Sequence, residues 1–384
     1  MMCLLKQAIL PIKCKYKIPT KQYLDQGKYP VIDQGQEFIG GYTNDEAGVI
    51  SQLPVIVFGD HTRVFKYVDF PFVAGADGVK IFQAKSCLLP KLLFYFLQAV
   101  TLPDRGYARH YQYLVKSMIP VPPLAEQKRI VKKIEELFGV IDEQVKRLEA
   151  TQEDLISYRQ SILKKLLSNP VYPQVSFNDG IKKIIGGSTP SKTISAYYEG
   201  HIPFMTVKDM TSPRPQDTAW HITQEAVDNC STHIIPANTL ITATRVGLGK
   251  TVLMPFPVAI NQDLKALVLN KNKVNTRFFE FVLNAKTTEI ISKSRGTTVK
   301  GITLEDFKSI KFYLPTLPEQ QKIVDEIEKT FRSADKVQKA VQNALEEAKK
   351  LKQSILKKAF AGELVPQDPN DKPVNLPVLK GKTK

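Results

Sequence analysis

The chain is 384 residues long and carries 54 basic against 38 acidic side chains, a formal net charge of +16. Its length gives room for two or three domains, each able to bury a core, and its 43% hydrophobic content is that of a soluble protein. Four scattered cysteines (Cys3, Cys14, Cys87 and Cys230) form no CxxC pair and argue against a zinc site or disulfide framework, while the charge favours a polyanionic partner.

The opening MMCLLKQAIL is too short, and too soon interrupted by Lys6 and Pro11, for a signal peptide. The apolar run LLPKLLFYFLQAV contains Lys91 and falls short of a membrane span, so a cytoplasmic chain is expected. Residues 1–123 read as mixed α/β. The β-rich runs KYPVID, LPVIVFG and GVKIFQ alternate with glycine turns, and a helix is expected from Pro90 to Val100. FGDHTR places His61 and Arg63 on a loop between strands. RGYARHYQYL then gathers Arg105, Tyr107, Arg109, His110 and two further tyrosines, a mixture suited to phosphate contact and to packing on sugar or base.

From Leu124 the chain reads LAEQKRIVKKIEELFGVIDEQ and continues to RQSILKKLL at Leu167. From Leu317 it reads LPEQQKIVDEIEKTFRSADKV and continues to KQSILKKAF at Phe360. The two copies align without a gap at an offset of 193. Each has an apolar residue every seventh position: Ile134, Ile141, Leu148, Leu155 and Ile162, then Ile327, Ala334, Val341, Ala348 and Ile355. A patchier second row runs through Ile130, Leu137 and Tyr158, and through Ile323, Val337 and Leu351. Such stripes with charged flanks predict a coiled coil.

Residues 168–316 repeat the plan of the first segment in different words. The loop GGSTPSK precedes the strand-like HIPFMTV, and NTLITATRVGLGKTVL reads as two strands about a glycine turn. VAINQDLKALVL is a further strand region, and a helix is expected from Thr276 to about Ala285. SKSRGTTVKGIT occupies the place of RGYARHYQ, just upstream of a long helix. The two segments outside the long helices carry +5 and +6, and the helices only +1 and +3, the footprint of two polyanion-binding modules on near-neutral supports. No active site emerges. ATRVGLGKT lacks the first glycine of a phosphate loop, NPVY lacks the second proline of an amino-methyltransferase motif, and QDLK has no upstream Pro-Asp partner of a nuclease core.

The segments PPLAEQKRIVKKIEELF with SILKKLL, LPEQQKIVDEIEKTF with SILKKAFAGELV, and GGSTPSK at the head of the second module resemble the specificity subunit of type I restriction-modification systems. YPVIDQGQ, FGDHTR, ADGVK and RGYARHYQYL also resemble one recurring kind of target-recognition domain in that family. The resemblance implies an α+β chain of two mixed α/β target-recognition domains and two long helices forming an antiparallel coiled coil, with a pseudo-twofold internal repeat. The domains expected are 1–123, 170–316 and the helices 124–169 and 317–361, followed by a tail, 362–384. The first domain is expected to be N-terminally shortened, its opening strand missing or replaced by MMCLLKQAILPIK.

What the family implies is a DNA reader without catalysis or cofactor of its own. Two methyltransferase subunits would methylate adenine with S-adenosylmethionine, and motor-nuclease subunits would join through the complex. The alternatives are an adenine methyltransferase with a built-in reader, which needs a cofactor loop and an Asn/Asp-Pro-Pro-aromatic motif, and a coiled-coil adaptor. Candidate DNA contacts are Gln34, His61, Arg63, Arg105, Tyr107, Arg109 and His110 in the first module. In the second they are Thr189, Lys192, Lys208, Arg214, Arg245, Lys250, Arg295 and Lys300. Candidate partner contacts are the shared helix-end residues Glu126/Glu319, Gln127/Gln320, Lys164/Lys357 and Lys165/Lys358, which equally suit capping and the helix dipole.

Overall fold

The computed structural model describes residues 1–14, 16–76, 78–103, 106, 109–296 and 300–375. Two compact units make up the chain: unit 1 holds Met1–Glu149 and Gln342–Lys384, and unit 2 holds Ala150–Val341.

Unit 1 opens with β1 (Met2–Leu4), the one-turn α1 (Leu5–Ala8) and β2 (Ile9–Ile12). There follow β3 (Tyr29–Ile32), β4 (Gly41–Thr43), β5 (Val49–Ile50), β6 (Val55–Gly59), β7 (Phe65–Val68), β8 (Phe72–Ala74) and β9 (Val79–Ala84). Then come α2 (Pro90–Ala99), α3 (Tyr111–Leu114), β10 (Met118–Pro120) and α4 (Leu124–Leu167), which begins in unit 1 and ends in unit 2. The sheets have the orders β2-β9-β6-β7 and β4-β3-β8-β5, and β1 pairs with β10. The apolar run of β6 is buried along its whole length, as a strand covered on both faces requires. Pro11 lies in the edge strand β2, where its missing N–H can face away from the ladder. Pro90, whose fixed φ suits a first helical position, starts α2, and Leu92, Leu93, Phe96 and Leu97 form its buried face.

Unit 2 runs through β11 (Gln174–Ser176), α5 (Phe177–Gly180), β12 (Ile181–Gly186), β13 (Ile202–Met205), β14 (Trp220–Ile222), α6 (Gln224–Asp228) and β15 (Ile234–Ile235). It continues with β16 (Thr239–Ala243), β17 (Thr251–Met254), β18 (Val258–Ile260), β19 (Leu264–Leu269), α7 (Thr276–Ala285), α8 (Thr287–Ser292), α9 (Leu304–Ser309), β20 (Lys311–Tyr313) and α10 (Leu317–Ala361). Its sheets, β12-β19-β16-β17 and β14-β13-β18-β15, repeat those of unit 1 strand for strand, and β11 pairs with β20 as β1 does with β10. This corrects the expected loss of an opening strand. MCLLKQAILPI and QVSFNDGIKKI fold alike with few residues in common, because backbone pairing and a large, fully buried side chain at the same position, Leu5 or Phe177, hold the segment.

α10 starts in unit 2 and ends in unit 1, the reverse of α4, so the two long helices are antiparallel. In unit 1, Lys352 pairs with Asp142 and lies 5.0 Å from the Phe138 ring centroid. In unit 2, Arg159 bonds Asp335 at 2.7 Å and Gln338 at 3.1 Å. The seven-residue row is the seam: Ile134, Ile141, Ile327, Ala334, Val341 and Ile355 are buried. The second row is not a continuous seam. Ile130 is buried, yet Tyr158, Val337 and Leu351 are 47%, 45% and 52% exposed. In unit 1, Ile130, Ile134, Leu356 and Ala359 share one core with Phe58, Phe82 and Phe96; in unit 2, Leu163, Leu167, Val324 and Ile327 share one with Phe177, Phe278 and Phe279.

One glutamine fixes each long helix to its module. Gln127 is fully buried; its Oε1 accepts from the Leu89 N–H at 2.7 Å, and its Nε2 donates to the carbonyls of Cys87 at 2.9 Å and Pro122 at 2.8 Å. Gln320 makes the same three bonds, from Asn275 N at 2.7 Å and to Lys273 and Pro315 at 2.9 Å each. Leu89 and Asn275 are the residues that precede α2 and α7, so the clamp joins the two helices of a module through their starts. Replacing either glutamine by Ala orphans one N–H and two carbonyls in a buried site, and each variant should lose about 2–4 kcal/mol of stability. Urea unfolding measures this; an unchanged midpoint for either variant would contradict the clamp.

Candidate nucleic-acid interface

Both modules gather their loops at one end of the paired sheets, on the same backbone frame. In unit 2, Thr244, just after β16, donates its N–H to Asp263 O at 2.9 Å and accepts from Ile302 N at 2.9 Å. In unit 1, Asp60, just after β6, donates to Gly78 O at 2.7 Å and accepts from His110 N at 3.0 Å. The β16–β17 and β6–β7 loops are thus stitched to the turn before β19 or β9 and to the segment that leads to the long helix. The frame is shared; the side chains on it are not.

Glycines permit the close approaches in unit 2. A Cβ on Gly187 would lie 1.8 Å from Ile260 O, so only glycine lets the chain leaving β12 cross the end of β18. Gly247 and Gly249 have φ of +70° and +82°, which the tight β16–β17 turn requires. Thr189 Oγ1 then donates to Gln262 Oε1 at 2.6 Å, tying the GGSTPSK loop to the β18–β19 turn. Thr206 caps a short turn after β13 by donating its N–H and hydroxyl to Asp209 Oδ2 at 2.7 and 2.9 Å. Arg295 and Gly301 exchange backbone bonds at 2.8 and 2.9 Å, next to the bond from Ile302 N to Thr244 O.

The structure therefore brings Lys208, Arg245, Lys250, Arg295 and Lys300 to one end of unit 2, all exposed. Arg245 lies 3.6 Å from Asp263 with half its side chain in solvent, and Arg295, 78% exposed at its side chain, lies 3.4 Å from Asp306. Such pairs are too solvated to hold the arginines from a stronger anion. Lys265, half-buried behind Arg245, donates to the Gln262 and Leu264 carbonyls at 2.9 and 3.2 Å, and burial lowers its pKa. Arg214 is placed elsewhere. Its guanidinium forms two 2.7 Å bonds to Glu280, a buried carboxylate of α7, so it holds the core together and does not join the basic end.

In unit 1 the same end holds Gln34, His61 and the exposed Arg109. Gln34 Oε1 accepts from His61 N at 3.4 Å, and its carbonyl accepts from Thr62 Oγ1 at 2.6 Å. Arg63, at φ +64°, lines a recess with Phe65, Leu97 and Leu102 on the α2 side. His110 is fully buried with Nδ1 3.0 Å from Asp60 O; it supports the loop and presents no ring to a ligand. Lys66, missed as a charged site, is buried 3.5 Å from Asp33, and burial lowers its pKa against the rise due to that carboxylate. Arg105 and Tyr107 lie outside the described residues.

The helix-end candidates divide. Gln127 and Gln320 are internal clamps, not partner contacts. Glu126 is nearly buried, and desolvation raises its pKa against the lowering by Arg129, which itself bonds Asp371 at 2.6 Å. Glu319 caps α10, accepting from Thr316 N at 3.0 Å and Oγ1 at 2.7 Å, which lowers its pKa. Pro123 stands at the position of Thr316 in the first copy, so Glu126 has no such cap. Lys164, Lys165, Lys357 and Lys358 are exposed. Among the described residues no cluster of His, Cys, Asp and Glu could hold a metal, and no helix is long and apolar enough to cross a membrane.

Paired modules of one topology, each on a long repeated helix and with basic residues on the loops of the second, fit the layout of a DNA specificity protein. The chain belongs to the Type I restriction modification DNA specificity domain family, which matches residues 7–151 and 170–347, and it is a non-catalytic specificity subunit. It is 30% identical over 352 residues to the Type I restriction enzyme EcoR124I/EcoR124II specificity subunit of Escherichia coli, covering 82% of each chain. It is 26% identical to the putative type I restriction enzyme MjaX specificity subunit of Methanocaldococcus jannaschii, over 64% of this chain and 59% of that one. The fold matches a chain from a structure on complex assembly and conformational transition of the type I R-M system, with a TM-score of 0.69 at 21% identity, over 95% and 98% of the two chains.

Neutralising Arg245 and Arg295 together should weaken duplex binding and lower the slope of log affinity against log salt by about 1.8, roughly 0.9 for each phosphate that is no longer neutralised. Anisotropy of a labelled duplex over a salt series measures both. Unchanged affinity and slope would place the DNA face elsewhere.

Proposed function

We propose that the chain reads a bipartite DNA target, with the unit 1 module reading one half and the unit 2 module the other, while α4 and α10 set the spacing. The observation that carries this is the repeated frame: Asp60 and Thr244 make the same two backbone bonds, yet the side chains displayed around them differ in charge and shape. A common frame with exchanged side chains suits two readers of different base sequences, since base edges specify and phosphate contacts position. Arg245, Lys250, Arg295, Lys300, Lys192, Lys208 and Thr189 are the proposed contacts of the second module, and Gln34, His61, Arg63 and Arg109 those of the first.

The helices are also the proposed dock for methyltransferase subunits, and restriction motor-nuclease subunits join through that complex in the cytoplasm. Two features support the helices in this role. Lys164 and Lys165 recur as Lys357 and Lys358 at exposed, equivalent positions. Large apolar groups also remain open on them, Val140 and Leu351 in unit 1 and Ile156 and Val337 in unit 2. A repeated surface recruits repeated copies, so two methyltransferase subunits per chain are expected. Co-purification with the cognate methyltransferase subunit tests this by mass, and a single bound copy would refute the repeated dock. The isolated chain should transfer no methyl group from S-adenosylmethionine to DNA; transfer by the chain alone would overturn the reading.

A further inference from the structure

The sequence contains one tryptophan, and the fold leaves it open: Trp220 is 48% exposed on the edge strand β14. A ring of this size left half in water on a strand edge forgoes much of the stabilisation that burial would give. Its surroundings fix its orientation without covering it. The Tyr198 ring packs edge-on at 5.4 Å and 74°, and Tyr198 is itself held by a 2.7 Å bond from its hydroxyl to Pro190 O. Lys192 Nζ lies 6.0 Å from the Trp220 ring centroid, and among the described residues it forms no ion pair.

The indole is also continuous with the basic end of its module. Trp220 stands opposite Phe204 in the β13–β14 pair, at the end of β13 from which the loops project. The preceding Ala219 donates its N–H to Asp209 Oδ1 at 2.8 Å, and Asp209 closes the turn that carries the exposed Lys208. Val207 of that turn abuts Gly247, where an added Cβ would lie 2.6 Å from its Cγ1, and Gly247 sits between Arg245 and Lys250. A rigid aromatic face beside an amine with no ion pair among the described residues, at the rim of a cationic surface, suits a polyanion that also offers flat or apolar faces.

We propose that Trp220 and Lys192 form a further DNA contact of the second module, the indole against a deoxyribose or base edge and the amine on the adjoining phosphate. This rests on the reading of that module as a DNA reader, and the test separates the two. The full-length chain is titrated with a labelled duplex carrying the target obtained by methylation profiling, following label anisotropy and tryptophan emission together. Because Trp220 is the sole tryptophan, emission reports this site alone. Emission should change in step with anisotropy, Trp220→Ala should weaken binding roughly five- to hundredfold, and Trp220→Phe should retain most of the affinity. Binding with unchanged emission, or an unchanged affinity of Trp220→Ala, would overturn the contact and leave the module's reading intact. Loss of methyltransferase co-purification in Trp220→Ala, with DNA binding unchanged, would assign the surface to a protein partner and equally overturn it. Absence of duplex binding by the unaltered chain would defeat the DNA reading and the contact with it.

Discussion

Everything this chain does with its modules depends on holding each one at a fixed angle to a long helix, and a buried amide does that. Gln127 and Gln320 each satisfy one N–H and two carbonyls where the module's backbone meets the start of its long helix. A hydrophobic contact alone would tolerate sliding, since apolar burial has no direction. Three hydrogen bonds from one side chain do not, because each has a narrow range of distance and angle. The surrounding cores, with Phe96 and Ile134 in unit 1 and Phe278 and Ile327 in unit 2, supply most of the stabilisation, and the glutamine supplies the register.

With the support fixed, variation is confined to the loops. Module one places Asp60 where module two has Thr244, and it buries His110 where module two has Ile302. Module two surrounds the same frame with exposed Arg245, Lys250, Arg295 and Lys300. A backbone stitched by main-chain bonds leaves its side chains free to change, so a reader can alter its surface without altering its fold.

How much of this could be read from the sequence follows from what each feature rests on. The seven-residue row, the helix from Thr276 to Ala285 and the strands in LPVIVFG and HIPFMTV were legible because each is a periodic or unbroken apolar pattern. The β1–α1–β2 opening was not, since its strands are short and held by backbone bonds that leave no residue signature. The glutamines were recognised as shared, but a polar residue at a helix start reads as exposed until the carbonyls around it are seen. Arg214 and His110 show the same limit: type and loop position suggested DNA contact, while Arg214 is tied to the buried Glu280 and His110 is itself buried. Trp220 had one signal, its being the sole tryptophan, and only its exposure beside Lys192 gives that signal meaning.

The central claim is that the two modules read separate halves of one target on a common support. Methylation profiling of cells expressing the complete complex tests it, with residues 244–250 and 293–303 replaced by those of a relative with a different target. One half of the methylated sequence should change, while the other half and the spacing stay as they were. A change in both halves together, or an unaltered target, would contradict the account.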